Sequence, residues 1–180
     1  VRSDAVSIVS DLHALGIERV VMLTGDNADT AKFVAATVGI DDVRSELLPE
    51  DKVKAVEELA AEASPLAMVG DGVNDAPAMA RADIGIAMGA AGSDAAIEAA
   101  DIALMSDDLS RIPWLIRHAR RALRIIRQNI VFSLVVKAAF VVLTFSGYAS
   151  LWAAIAADMG ASLLVIGNGL RLLSNRLGRT

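Results

Sequence analysis

Residues 66–77 of the chain are Leu66-Ala67-Met68-Val69-Gly70-Asp71-Gly72-Val73-Asn74-Asp75-Ala76-Pro77, and they indicate the fold class most clearly. Its first four residues predict a short apolar strand, its glycines and acids predict a turn, and Pro77 predicts the start of a helix. The strand delivers one carboxylate, Asp71, into the turn, and a second, Asp75, follows four residues later. Oxygen ligands of this kind suit Mg²⁺, and the glycines would let a phosphate group approach the backbone. Because a lone Gly-Asp-Gly is more simply an ordinary turn, the interpretation needs further residues.

Strands and helices alternate on both sides of this stretch. The remaining predicted strands lie at 19–23, 84–88 and 102–105. The remaining predicted helices lie at 5–16, before Gly39, at 49–63 and at 93–100. This alternation indicates an α/β fold with a mostly parallel, doubly wound sheet. In such sheets ligands bind outside the carboxyl ends of the strands, and Thr24 and Asp71 both lie at such ends.

A second phosphate-binding candidate follows the strand at 19–23, where Thr24-Gly25-Asp26-Asn27 leads into a helix. A hydroxyl and backbone N–H groups at a helix N-terminus can bind an anion, although the same residue types are also ordinary N-caps. Lys52 lies in the first turn of the helix that Pro49 opens, where a cation opposes the helix dipole. A nearby phosphoryl group would reverse that penalty, and the alternative is a solvated lysine.

The chain changes character after residue 112. Residues 1–112 carry 8 Lys and Arg against 21 Asp and Glu, whereas residues 113–180 carry 9 against 1. The acidic part argues against a nucleic-acid partner, because phosphate backbones need a basic face. The basic part begins with a predicted stalk helix at 113–129, which continues into apolar stretches at about 130–147 and 149–170.

Each apolar stretch is about the 20 residues that a membrane-spanning helix needs, so residues 130–180 are predicted to form a membrane hairpin. Arginines lie before the first span and after the second but not in the turn, and the positive-inside rule therefore places both ends in the cytoplasm. The alternative is a pair of buried helices in a soluble domain, although such helices rarely stay apolar all round for this length. The chain also has no initiator Met, and we interpret it as part of a longer protein.

Three ordered motifs together resemble the haloacid dehalogenase superfamily and, within it, the P-type ATPases. The motifs are Met22-Leu23-Thr24-Gly25-Asp26-Asn27, Pro49-Glu50-Asp51-Lys52 and Val69-Gly70-Asp71-Gly72-Val73-Asn74-Asp75-Ala76-Pro77-Ala78-Met79. The resemblance implies that Asp71 binds Mg²⁺, and that Asp75 and Asn74 support this ion and the phosphoryl group. It also implies that Lys52 neutralises a phosphoaspartate and that Thr24 holds a phosphoryl oxygen. The remaining phosphate contacts would come from Gly25, Asp26 and Gly72.

The family's phosphorylated aspartate lies in an Asp-Lys-Thr-Gly-Thr motif, which this sequence lacks, as it lacks the family's Thr-Gly-Glu signature. We therefore expect residues 1–112 to be the C-terminal part of a phosphorylation domain. The N-terminal part of the pump, with its ATP-binding domain, would lie outside this chain, and the chain alone is not expected to hydrolyse ATP. Two alternatives are a membrane-tethered phosphatase of the same superfamily and a non-catalytic module that binds a membrane partner through its hairpin.

Lys137 and Asp158 lie near the middles of the two predicted spans, where a charge costs about 2.5 to 3.5 kcal/mol and is by default a functional candidate. The alternative is a structural ion pair. Their surroundings resemble the last two helices of the zinc, cadmium and lead branch of the heavy-metal pumps. By that resemblance Asp158 binds the transported divalent ion and Lys137 is its counter-charge. The protein would then be an ATP-driven exporter that spans the lipid bilayer of the plasma membrane several times.

Overall fold

The computed structural model describes residues 5–70, 73–89, 94–147 and 150–173. The chain forms two compact units, Val1–Trp114 and Leu115–Thr180. The first unit contains all the strands that the structure describes, and the second contains most of one long helix and all of another. Asp71 and Gly72, two of the predicted site residues, lie outside the described residues.

The first half of the α/β unit is built around two parallel strands. Its elements are α1 (Ala5–Ala14), β1 (Val21–Leu23), α2 (Ala28–Val38), β2 (Asp42–Arg44) and α3 (Pro49–Glu62). Strands β1 and β2 pair in parallel. Helix α2 ends at Gly39, whose φ of 79° lies in the left-handed region, and the Gly39 N–H donates to the carbonyl of Ala35. This C-cap turns the chain back so that β2 can lie beside β1.

The second half carries the stretch that decided the sequence interpretation. Its elements are β3 (Ala67–Gly70), a 3₁₀ turn (Val73–Asp75), α4 (Ala76–Met79), β4 (Ile84–Met88), α5 (Asp94–Ala99) and β5 (Ile102–Leu104). The strands form a parallel sheet in the order β3-β4-β5. Met79 and Ala87 are fully buried at its centre, and three partly buried residues, Met68, Ala76 and Ala100, pack around them. The core thus holds α4 against the sheet directly after the turn at Asp75.

The predicted α/β fold with parallel strands is confirmed, with two differences in detail. Among the described residues, hydrogen bonds divide the strands between two sheets, β1-β2 and β3-β4-β5. Strand β2 was not predicted from the sequence, because Asp42-Val43-Arg44 is short and has charged residues at two of its three positions. All three of its residues are partly exposed, so no apolar run marked it.

The second unit consists of two long helices. Helix α6 runs from Arg111 to Phe145, so the predicted stalk and the first predicted span form one continuous helix. Helix α7 spans Leu151–Leu170. Its N-cap is Ser150, whose hydroxyl accepts a hydrogen bond from the N–H of Ala153. Both helices are long and apolar enough to cross a membrane by length and composition. The two apolar helices of the predicted hairpin are therefore both present, as the second part of α6 and as α7.

The facing sides of α6 and α7 are marked by residues that are less exposed than their neighbours. On α6 these residues recur every three or four positions at Ile125, Asn129, Ser133, Val136 and Phe140. On α7 the corresponding stripe is Ala154, Ala157, Ala161, Val165 and Asn168. This spacing is typical of two helices packed side by side, and alanines allow a close approach in a membrane.

Candidate functional site

The centre of the candidate site is an ion pair between Lys52 and Asp75. The Lys52 Nζ donates to the Asp75 Oδ1 at 2.7 Å. The two side chains keep only 20% and 13% of their exposure, so the pair is largely removed from solvent. Lys52 comes from the first turn of α3, and Asp75 ends the 3₁₀ turn that follows β3. The alternative of a solvated lysine is therefore wrong.

Asp75 is held in place by its close approach to the end of β3. A Cβ atom built on Gly70 would lie 2.7 Å from the Asp75 Cβ and 3.2 Å from its Oδ2. Real Cβ atoms are essentially never found at 2.7 Å from another side-chain carbon, so only glycine fits at position 70. The glycine that ends β3 thus gives the Asp75 side chain the space that it occupies.

The Thr24 motif forms a hydrogen-bonded turn at the end of β1. The Thr24 Oγ1 accepts a hydrogen bond from the Asp26 N–H at 3.1 Å. Asn27 is the N-cap of α2, and its side-chain oxygen accepts from the Thr30 N–H at 2.9 Å. The N-cap interpretation of Asn27 is therefore correct. Thr24 directs its hydroxyl oxygen to the backbone of the same turn, which fixes the position of that hydroxyl.

Backbone hydrogen bonds tie this turn to the segment that leads into α3. The Leu47 N–H donates to the Thr24 carbonyl at 3.1 Å, and the Glu46 N–H donates to the Asp26 carbonyl at 2.9 Å. A Cβ atom on Gly25 would lie 3.3 Å from the Leu47 carbonyl oxygen, so the two segments are in close contact. Helix α3 begins two residues after Leu47, and the turn at Thr24 is therefore linked through the backbone to the helix that carries Lys52.

The start of α3 is capped by its own acids and by its proline. The Asp51 Oδ2 accepts a hydrogen bond from the Leu48 N–H at 3.3 Å, and Pro49 occupies the first helical turn. Glu50 and Asp51 place negative charge in that turn, as the helix dipole favours. Their charge partly offsets the unfavourable interaction of the Lys52 ammonium with the helix dipole. Among the described residues, the nearest negative charge to that ammonium is the Asp75 carboxylate.

An arginine clamp holds the two strands of the first sheet to α3. The Arg19 guanidinium binds Asp42 at 2.6 Å and Glu62 at 3.0 Å. The hydrogen bond from Arg19 holds the pKa of the Asp42 carboxyl below its ordinary value, and the same bond raises the pKa of Arg19. Since Asp42 lies in β2 and Glu62 ends α3, Arg19 links β2 to the C-terminal end of the helix that carries Lys52.

The other predicted residues of the α/β unit are placed as follows. Asn74 is exposed on the 3₁₀ turn next to Asp75. Among the described residues no group of three or more His, Cys, Asp or Glu side chains could hold a metal ion. Mg²⁺ usually takes one or two carboxylates and keeps several waters, so a donor set of Asp71 and Asp75 fits this ion. The Asp75 Oδ2 is the oxygen of that carboxylate to which Lys52 does not donate.

The direct contact between Lys52 and Asp75 was not predicted from the sequence, although the family resemblance assigned both residues to one site. The two residues are 23 positions apart, and local periodicity carries no information about such a contact. The residue-level signal was the unfavourable place of Lys52 in a first helical turn, which indicates a negatively charged partner without identifying it. The contact forms because α3 packs against the 3₁₀ turn that ends at Asp75 and against α4.

In the two-helix unit, Lys137 and Asp158 are both exposed, and they form no ion pair with each other in the part of the chain that the structure describes. The polar contact between these helices is instead made by Asn129 and Asn168. The Asn168 Nδ2 donates to the Asn129 Oδ1 at 2.8 Å, and the Asn129 Nδ2 donates to the Val165 carbonyl at 3.4 Å. These contacts lie toward the end of the hairpin opposite its turn.

Comparison with known proteins gives matches over nearly the whole chain. Residues 1–83 match the haloacid dehalogenase-like hydrolase family. The chain is 51% identical over 173 residues to a probable cadmium-transporting ATPase of Listeria monocytogenes, a match that covers 96% of this chain and 24% of that protein. It is 50% identical to the cadmium, zinc and cobalt-transporting ATPase of Bacillus subtilis, with 96% and 25% coverage.

A solved structure agrees with these sequence matches. The crystal structure of a zinc-transporting PIB-type ATPase in the E2.Pi state aligns with a TM-score of 0.87 and 50% identity, over 96% of this chain and 28% of that one. The chain thus spans about a quarter of the length of the curated relatives it matches. The match includes both the α/β unit and the two apolar helices, and it confirms the resemblance drawn from the motifs.

Proposed function

We propose that this chain, a homologue of the cadmium- and zinc-transporting P-type ATPases, is one part of an ATP-driven pump that exports divalent heavy-metal cations such as Zn²⁺, Cd²⁺ and Pb²⁺. The observation that carries the proposal is the identity of about 50% over 96% of the chain, which covers the α/β unit and the hairpin alike. Because the chain corresponds to about a quarter of those proteins, the ATP-binding domain and the phosphorylated aspartate would belong to the rest of the pump.

In the α/β unit, the proposed task of the residues is to hold a phosphoryl group. Lys52 would supply positive charge to it, and Thr24 would hold one of its oxygens, with backbone N–H groups at Gly25, Asp26 and Gly72 completing the contacts. The Lys52 ammonium is already largely desolvated and fixed by Asp75, so little reorganisation is needed when negative charge arrives. Asn74 and Asp75 would support the same group from the 3₁₀ turn.

Asp71 and Asp75 would hold a magnesium ion in this site. When bound, the ion would supply positive charge that neutralises the phosphoryl oxygens. The role of this chain's own residues is to keep the carboxylates in place: Gly70 gives Asp75 the space to approach β3, and Lys52 fixes its Oδ1. Among the described residues, this arrangement supports the assignment of Asp75 as a ligand more directly than that of any other carboxylate.

In the membrane, Asp158 would bind the transported ion and Lys137 would act as its counter-charge. A membrane location is supported by the length and apolar composition of α6 and α7 and by the metal-transporting ATPases that the chain matches. Both side chains are exposed in this chain, which leaves them accessible to ligands from a neighbouring segment of the pump. We place both ends of the hairpin in the cytoplasm of a multi-pass plasma-membrane protein, because the arginines flank the spans and are absent from the turn.

The experiment uses the intact pump and compares two routes to its phosphorylated form. Asp158→Ala should abolish metal-stimulated phosphorylation from ATP and leave phosphorylation from inorganic phosphate in place, because only the first requires ion binding. Asp71→Asn should damage both routes, because both place a phosphoryl group in the α/β site. Ser162→Ala, which removes a hydroxyl bonded to the Asp158 carbonyl, is the control and should retain both.

Equal loss of both routes in Asp158→Ala would refute its transport role. Full phosphorylation of Asp71→Asn would refute the magnesium assignment. Hydrolysis of a simple phosphate ester by the 180-residue chain alone would favour the membrane-tethered phosphatase, because that activity needs no further domain. Mg²⁺ binding without turnover, together with co-purification of an intact membrane partner, would favour the interaction module.

A further inference from the structure

A chain of hydrogen bonds joins α6 and α7 at the end of the hairpin opposite its turn. It consists of the contacts among Asn129, Val165 and Asn168 and continues to Arg171, whose Nη1 donates to the Asn168 Oδ1 at 3.1 Å. It ends at the Arg121 Nη2, which donates to the Arg171 carbonyl at 3.3 Å. We call the pair Asn129 and Asn168, with these attached bonds, the asparagine clasp. It connects the two helices through side chains of both.

The clasp fixes the relative depth of Lys137 and Asp158. As the contacts move forward along α6 from Arg121 to Asn129 they move backward along α7, so the helices are antiparallel. Lys137 lies eight residues from Asn129 and Asp158 lies ten residues from Asn168. At about 1.5 Å per residue these separations are about 12 and 15 Å in the same direction. The two charged residues therefore lie at nearly the same depth in the hairpin.

The clasp also fixes the side of the hairpin on which each charge lies. Each residue turns a helix by about 100°, so eight residues leave Lys137 about 80° from the direction of Asn129. On α7, ten residues leave Asp158 about 80° from the direction of Asn168. When both helices are viewed from the same end, this rotation has the opposite sense to that of Lys137. Because the two asparagines point at each other, opposite rotations carry both charges to the same side of the pair. Both charges thus lie about 80° away from the line of contact between the helices, which is why both are exposed.

We propose that Asn129 and Asn168 are positioning residues for the membrane ion site: their hydrogen bond holds Lys137 and Asp158 at one depth and on one side of the hairpin. The turn alone ties only one end of the helices, which could still rotate or splay at the other. A slip by one helical turn would separate the two charges in depth by about 5 Å. That the two charges bind a transported ion rests on the proposed function, whereas their relative position is a property of this chain alone.

The geometry can be measured in the 180-residue chain, which has no cysteine. Spin labels attached after Lys137→Cys and Asp158→Cys in lipid nanodiscs should give a narrow distance distribution by pulsed electron resonance. Adding Asn168→Leu, which removes the amide at similar volume, should broaden or shift it. Asn168→Gln, which keeps an amide, should restore much of it. The control Thr144→Val removes a hydroxyl bonded only to its own helix and should leave the distribution unchanged.

An unchanged distribution in Asn168→Leu would overturn the positioning role, whatever the fate of the transport proposal. A second readout in the intact pump separates positioning from folding. Asn168→Leu should raise the metal concentration for half-maximal phosphorylation on the order of 3- to 20-fold, the range that interhelical hydrogen bonds contribute in membranes. Phosphorylation from inorganic phosphate should persist, and its loss in parallel would indicate a structural defect and refute the proposal. If Asp158→Ala leaves metal-stimulated phosphorylation intact while the distances behave as expected, the proposed function fails and the geometry stands.

Discussion

Replacing Lys52 by methionine tests whether the pair with Asp75 is the central contact of the α/β site. Lys52→Met keeps most of the aliphatic stem and removes the ammonium, which leaves the Asp75 carboxylate 13% exposed and without its cation. Breaking a buried ion pair costs about 3 to 5 kcal/mol, whereas an exposed pair contributes about 0 to 1 kcal/mol. With both side chains mostly but not fully buried, we expect the free energy of unfolding to fall by about 2 to 3 kcal/mol.

A double-mutant cycle with Asp75→Asn isolates the contact itself. Each single substitution leaves one charge without its counter-charge, whereas the double substitution leaves neither charge, so its cost should be smaller than the sum of the two. We expect a coupling energy of about 2 kcal/mol. The measurement is urea unfolding of the 180-residue chain in detergent, followed by far-ultraviolet circular dichroism and by the fluorescence of its two tryptophans.

Lys54→Met is the matched control, because it removes the same charge from the same helix. The Lys54 ammonium lies 3.6 Å from Asp51, and its side chain is 69% exposed, so the change should cost no more than about 0.5 kcal/mol. If Lys52→Met cost no more than this control, or if the effects of Lys52→Met and Asp75→Asn were additive, the buried pair would not be a stabilising contact.

Three further predictions concern the elements around the pair. Gly70→Ala should lower the free energy of unfolding by about 1 to 3 kcal/mol, measured in the same urea titration, because its Cβ would overlap that of Asp75; a neutral effect would mean that the turn relaxes freely. Asn27→Ala should cost about 1 kcal/mol through loss of the α2 N-cap, and an unchanged urea midpoint would show that the cap is dispensable. The pKa of Asp42 is lowered in the folded chain, so its bond with Arg19 stabilises the fold at pH values above the ordinary pKa of 3.8, and this stabilisation is lost as the pH falls through the lower pKa of the folded chain. The free energy of unfolding of Asp42→Asn should therefore fall less on acidification than that of the unaltered chain. An equal fall in the two proteins would show that this contact does not contribute to acid unfolding.

The candidate site could be predicted from sequence only in part. Carboxylates, glycines and a threonine at strand ends indicate phosphate chemistry because the residue types and their local order carry the signal. The pairing of Lys52 with Asp75 depends on how α3 packs against the 3₁₀ turn, and the close approach of Asp75 to Gly70 depends on how that turn lies against the end of β3. The ion site in the hairpin stays a prediction, since its assignment to Lys137 and Asp158 rests on their place in apolar helices and on resemblance.

The sequence by itself determined the alternation of strands and helices, the split between an acidic unit and a basic hairpin, and the family. These features follow from periodicity, charge and ordered motifs, which are local properties of a chain. Only the folded chain shows that the described strands divide between two sheets, that β2 lies beside β1, and that Asn129 meets Asn168. Each of these is a contact between segments that are distant in sequence, and local periodicity does not specify which distant segments meet.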